Sequence, residues 1–146
     1  MEKVMEPDDE WKAFIAAHLE WVDGWINPGS ESKFKGPEGR IKLLQLIIDS
    51  NEIAKEEAVK LQCLGTYLGQ AIVEKTGWPW KVIEDEYGTD LAIQIPDRKV
   101  WIFPVTMISK RIEDGDLVDV EELFNGVIPL ALQVNAARSD GTSSVQ

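Results

Sequence analysis

The sequence predicts an α+β fold: N-terminal helices and one long central helix packed on a small three-stranded antiparallel meander, followed by C-terminal helices. Three observations carry this expectation. Apolar residues recur three and four apart from Trp11 to Val73, the period of one helical face. Three short apolar runs then follow one another between Trp80 and Val105 with only tight turns between them, whereas parallel neighbours would need long crossovers. Beyond Met107 the helical period returns. A chain of 146 residues can bury one substantial core without staples. Residues 1–138 therefore read as a single α+β domain, and 139–146, SDGTSSVQ, as a disordered tail with too little apolar surface to order.

The first helix is marked by Trp11, Phe14, Ile15, His18, Leu19, Val22, Trp25 and Ile26. Asp8 or Asp9 can cap its start, and Asn27, Pro28 and Gly29 supply the stop. A second helix is expected from about Pro37 to Asp49, with Ile41, Leu44, Ile47 and Ile48 on its buried stripe. Asp49 and Glu52 have capping-box spacing, so the third and longest helix is expected to run from there to Gly77. Its middle, LQCLGTYLGQAIV, is apolar on most sides and belongs deep in the fold. Gly65 and Gly69 lie four apart on one face, and each glycine costs a helix about 1 kcal/mol relative to alanine. Close approach of another backbone is the compensation that spacing predicts.

The stretch TGWPW at 76–80 reads as an interior seam: Gly77 caps the long helix, Pro79 prevents its continuation, and Trp80 opens the strand WKVIEDEY. The turn YGTD leads to LAIQI, and Pro96, Asp97 and Arg98 turn the chain into VWIFPV. A short helix from Met107 to Ile112, the turn EDGD, and a helix opened by Asp119 with Glu122 in capping register complete the chain. Pro129 either kinks that helix or starts another ending near Arg138.

Charge and composition exclude several functions. Fifteen basic against 26 acidic side chains give a formal charge of −11, which repels phosphate backbones and anionic head groups over a Debye length of about 8 Å. Nucleic acid is not an expected partner; a basic protein surface is. No apolar run approaches the roughly 20 residues that span a bilayer, so no membrane association is expected. The single cysteine, Cys63, cannot form an internal disulfide, and no export signal is visible at the start, so a cytoplasmic location is expected.

No catalytic, cofactor or metal site is expected. His18, the single histidine, lies on the apolar stripe of the first helix and reads as a core residue satisfied by one hydrogen bond. Cys63 sits between Leu61 and Leu64 in mid-helix, where nothing would stabilise a thiolate. The acidic run EDGDLVDVEE lacks the alternating oxygen ligands of a calcium loop, and neither GxGxxG nor a P-loop occurs. Tryptophan is the unusual feature, with six against two tyrosines. Trp21 falls off the main stripe of the first helix, which makes it, with Trp78, a candidate protein contact.

The segments LGTYLGQAIVEKTGWPW, LAIQIPDRKVWIFP and MISKRIEDGD resemble a bacterial domain of unknown function family, number 3806, over roughly residues 61–128. That resemblance implies an α+β domain and assigns no catalytic residue; Gln70 stands where it leads one to expect an acid. The reading reached is a non-catalytic protein-binding domain with an acidic surface, of which a toxin-neutralising immunity role is one concrete version. The alternatives are a small-molecule binder or hydrolase using a pocket between the long helix and the sheet, and a structural homodimer joined through its tryptophan-rich helix.

Overall fold

A computed structural model describes residues 2–96, 100–137 and 143–145. Helix α1 is Asp9–Asp23, α2 is Gly36–Asp49, α3 is Ala58–Thr76, α4 is Met107–Glu113 and α5 is Val120–Ala137. The strands are β1 (Lys3–Met5), β2 (Trp80–Asp85), β3 (Gly88–Gln94), β4 (Val100–Ile102) and β5 (Ser143–Val145). The fold is α+β, as expected, with the expected antiparallel meander β2-β3-β4 at its centre.

The sheet is larger than a three-stranded meander. β1 adds an antiparallel edge strand beside β2, with Val4 opposite Ile83, and β5 runs parallel beside β4. Three residues of β1 are too few to print an alternating pattern, and their ladder partners lie some 80 positions away. Of the expected disordered tail, residues 139–142 and 146 lie outside the described residues, and Ser143–Val145 is the strand just named.

Two helix boundaries also differ from expectation. Asp49 and Glu52 do not open α3; Asp49 is the last residue of α2 and accepts a hydrogen bond from Gln45. The intervening chain is turned by Ser50, whose hydroxyl donates to the Ile47 carbonyl at 2.6 Å, and by Asn51 at φ 57°, so eight residues separate the two helices. Helix α1 stops at Asp23 rather than at Asn27, because the amides of Trp25 and Ile26 bond three residues back, to Val22 and Asp23, and tighten the coil. Its start is as predicted: Asp8 accepts from the Trp11 amide at 2.9 Å. Asp119 likewise accepts from the Glu122 amide at 3.0 Å, and Pro129 lies inside a continuous α5.

The main core joins Val22 of α1, Leu44 and Ile47 of α2, Leu61 to Ile72 of α3, Ile93 and Ile102 of the sheet, Met107 and Ile108 of α4, and Phe124 of α5. Helix α3 is its axis, with ten of its residues buried, which accounts for a sequence apolar nearly all round. The expected seam lies against it. A Cβ on Gly65 would stand 2.1 Å from the Val105 carbonyl oxygen, and one on Gly69 would stand 2.3 Å from the Trp80 indole. The paired glycines thus admit the Pro104–Thr106 turn and the first residue of β2 directly onto the helix. Gly77 closes α3 at φ 77° with its amide bonded to the Val73 carbonyl at 2.8 Å, a left-handed cap that suits glycine.

Candidate binding surfaces

The polar side chains enclosed by the helices are tied to one another. Thr66 donates its hydroxyl proton to the Gln62 carbonyl one turn back at 3.1 Å, so its oxygen accepts from His18 Nδ1 at 2.8 Å. The imidazole lies 4.0 Å from the Phe14 ring and tilted 47° to it, and burial, which disfavours the charged form, holds its pKa below the ordinary value. Burial likewise pushes the Cys63 thiol up, away from a reactive thiolate. Both residues are buried, as their neighbours in sequence led one to expect.

A second set of contacts crosses four elements. The Tyr67 hydroxyl donates to Asp23 at 2.5 Å, the Arg40 guanidinium lies 4.7 Å over the Tyr67 ring, and Arg40 donates twice to Glu74 at 3.0 and 3.1 Å. Gln70 then donates to Glu74 at 3.2 Å and accepts from the Trp80 indole at 3.0 Å. Burial, then the bond to Asp23, drive the Tyr67 phenol well above its usual pKa. Burial is the largest single influence on Arg40 and opposes its charge, but the Glu74 bond together with the charges of Tyr67, Glu74 and Asp23 outweighs it and keeps the guanidinium more firmly protonated. Each charge has a partner, and the arrangement clamps α1, α2, α3 and β2 together.

Outside these contacts lie hollows. The largest, about 1170 Å³, runs between α2, the 115–119 segment and the start of α5. Its floor is apolar, with Ile41, Leu61, Leu64 and Phe124, and its rim carries Glu38, Asp49, Asp116, Asp119 and Glu121 against the single cation Lys42. Two leucines beside it face water: Leu46 is 54% exposed and Leu117 fully so. None of this was legible in advance, because the walls come from segments some 70 residues apart that share no motif; the one local signal was Leu117, an apolar residue in an otherwise acidic turn.

A second, shallow hollow of about 740 Å³ lies on α1 and is lined by Ala17, Glu20, Trp21, Gly24, Trp25 and Glu52. A third, about 350 Å³, sits between α1, Gln62 of α3 and β3, with Trp11, Phe14, Asp90 and Lys110 among its lining. Only Gln62 comes from the long helix, and His18, suggested for a pocket between that helix and the sheet, is not among the lining residues. Both tryptophans singled out, Trp21 and Trp78, are half-buried against the main core, and Trp21 also lines the α1 hollow. The two are not brought into one site. Among the described residues no cluster of three or more His, Cys, Asp or Glu could hold a metal ion, and no helix is long and apolar enough to cross a membrane.

The architecture is that of a helix-clad α+β domain with a grooved exterior. The chain belongs to the family described as Domain of unknown function (DUF3806), whose model matches residues 40–124, starting farther upstream than the likeness read from motifs. No curated protein matches. A crystal structure from Bacteroides thetaiotaomicron VPI-5482 is similar to this chain with a TM-score of 0.75 and 19% identity, over 87% of this chain and 47% of that one. The likeness is one of fold, and this chain spans less than half of that neighbour.

Proposed function

We propose that this protein is a non-catalytic, cytoplasmic protein-binding domain, and that its occupant is a basic amphipathic segment of a partner protein held in the groove between α2 and residues 115–125. The observation that carries the reading is the match of chemistry in that groove: an apolar floor, two exposed leucines, and five acids against one lysine on the rim. Apolar anchors flanked by Lys and Arg are the complement of such a surface. An immunity role, in which an acidic domain covers a basic toxin, is one form of it. Trp21 and Trp78 are proposed as further contacts.

The test is a titration. A partner captured in mild salt is purified and its association rate followed at about 50 and 500 mM salt; electrostatic steering predicts a fall of about tenfold or more. Leu46→Glu with Leu117→Glu should abolish capture while the fold persists. A rate indifferent to salt, or capture unaffected by both substitutions, overturns the reading. A concentration-dependent dimer in sedimentation, lost in the same variant, would seat a second copy in the groove instead.

A further inference from the structure

Resting on the protein-binding reading, we infer that the hollow on α1 is a cation-recognition notch that takes an arginine or lysine side chain of the partner. Its construction begins at the end of the helix. Ala17 and Trp21 on α1, with Gly24 and Trp25 just beyond its last residue, line the hollow, and both indoles are half-buried against the main core. Small residues at 17 and 24 leave a low floor between large walls. The two indoles meet edge to face, centroids 6.0 Å apart at 71°, and form a corner of π-surface. Indole is the strongest aromatic partner for an organic cation, the more so the further the charge is desolvated.

Three sources of negative potential converge on that corner. Glu20 stands on α1 itself, and Glu52 is brought in from the α2–α3 connection, where Asn51 is the single described non-glycine residue with positive φ. Neither carboxylate has an ion-pair partner among the described residues, and no basic side chain lines the hollow. The hollow also lies at the C-terminal end of α1, the negative end of its dipole, and the last turn of that helix holds no basic residue. Gly24 adds a fourth feature. Its φ of −62° is right-handed, a conformation open to any residue, so the backbone does not require glycine there. A Cβ at this position would stand 3.2 Å from the Trp21 carbonyl oxygen, so a methyl group would crowd this end of the hollow.

Aromatic walls and unpaired carboxylates at the negative end of a helix are what a guanidinium or ammonium group needs and what an anion or neutral group cannot use. The notch is lined from α1 and Glu52, the groove from α2 and the 115–125 segment, and they share no lining residue, so the two can be tested separately.

The probe is N-acetylarginine amide, titrated while the six indole N–H signals are followed by NMR, with N-acetylcitrulline amide as its neutral counterpart of the same shape. The expected result is saturable shifts at Trp21 and Trp25 with arginine and none with citrulline. Glu20→Gln with Glu52→Gln should weaken binding about fivefold or more without moving the other four indole signals, and Gly24→Ala, which keeps its backbone conformation, should weaken it too. Equal shifts with citrulline, or affinity unchanged in the double carboxylate variant, overturn the proposal. So does choline saturating the notch tenfold more tightly than the arginine probe, which would make it a site for a free quaternary ammonium compound. Leu46→Glu with Leu117→Glu should leave the arginine titration intact, so loss of the groove and loss of the notch are read independently.

Discussion

The two long flanks of the helical layer are built on opposite rules. On the sheet side of α3, the Pro104–Thr106 turn and Trp80 approach so closely that Gly65 and Gly69 have no space for a methyl group. On the far side, α2 meets the start of α5 through Gln45, which accepts from the Val120 amide at 2.7 Å and donates to the Val118 carbonyl at 3.0 Å, but an open groove with an apolar floor remains beside that contact, and Leu46 and Leu117 stand in water. A natural domain that can seal one seam to backbone contact has not failed to pack the other; the open flank is where its surface has been left for something else. Interiors are close-packed as a rule, and the exceptions are where binding is to be sought.

The contrast breaks most visibly at Gly65. Alanine there would press its methyl on the backbone oxygen of Val105, which cannot swing aside, so Gly65→Ala should lose about 3 kcal/mol in urea unfolding. Gly69→Ala meets side-chain atoms of Trp80 and Pro104, which can yield, and should cost about 2 kcal/mol. Equal, negligible losses would mean the seam has slack and the contrast between the flanks is false.

How much of this was legible follows from the same contrast. The sealed seam announced itself locally: two glycines at helical spacing, a glycine cap and a proline stop all lie within residues 65–79. The connection before α3 misled because Asp49 and Glu52 have the spacing of a helix start, while the turn that prevents one depends on a left-handed Asn51 and a bond from Ser50 back to Ile47. Trp21 was readable as an off-stripe residue, but its neighbour Glu52 was not, since only tertiary packing carries the α2–α3 connection to α1. The groove was illegible for the same reason.

His18 sharpens the comparison from within. Its folded-state pKa lies below the ordinary value of about 6.5, so between the two values the unfolded chain binds the proton and the folded one does not. Stability from this group is therefore complete above about pH 6.5 and declines as pH falls toward the depressed value, by about 1.4 kcal/mol for each unit of depression. His18→Gln, which can still bond Thr66, should flatten the stability profile between about pH 6.5 and 5.5. Identical slopes in wild type and variant would place His18 in water in solution and the α1–α3 interface ajar.

Gln70 ties the seam residue Trp80 to the ion-paired Glu74, and its effect is smaller. Its carbonyl accepts from the Trp80 indole while its amide donates to Glu74, so the acid that the family resemblance leads one to expect could keep the first bond but not the second. Gln70→Glu should cost under about 1 kcal/mol, since Glu74 retains Arg40 and the position is only half-buried. The measurement is urea unfolding at low and high salt, where added salt should narrow the difference by screening the new pair of acids.

Leu117 should show the smallest effect of all on stability. A leucine at full exposure has surrendered no surface to the fold, so replacing it cannot forfeit transfer free energy, which runs at about 25 cal/mol for each Å² removed from water. Leu117→Glu should therefore unfold within about 0.5 kcal/mol of the wild type, the range of ordinary surface substitutions. The same change places a charge beside the apolar floor and should be felt in binding, where a buried carboxylate without a partner is costly. A loss well beyond that range would show that Leu117 packs into the groove in solution. The open flank would then be sealed by the chain's own acidic turn, and the difference between the two sides of the helical layer would vanish.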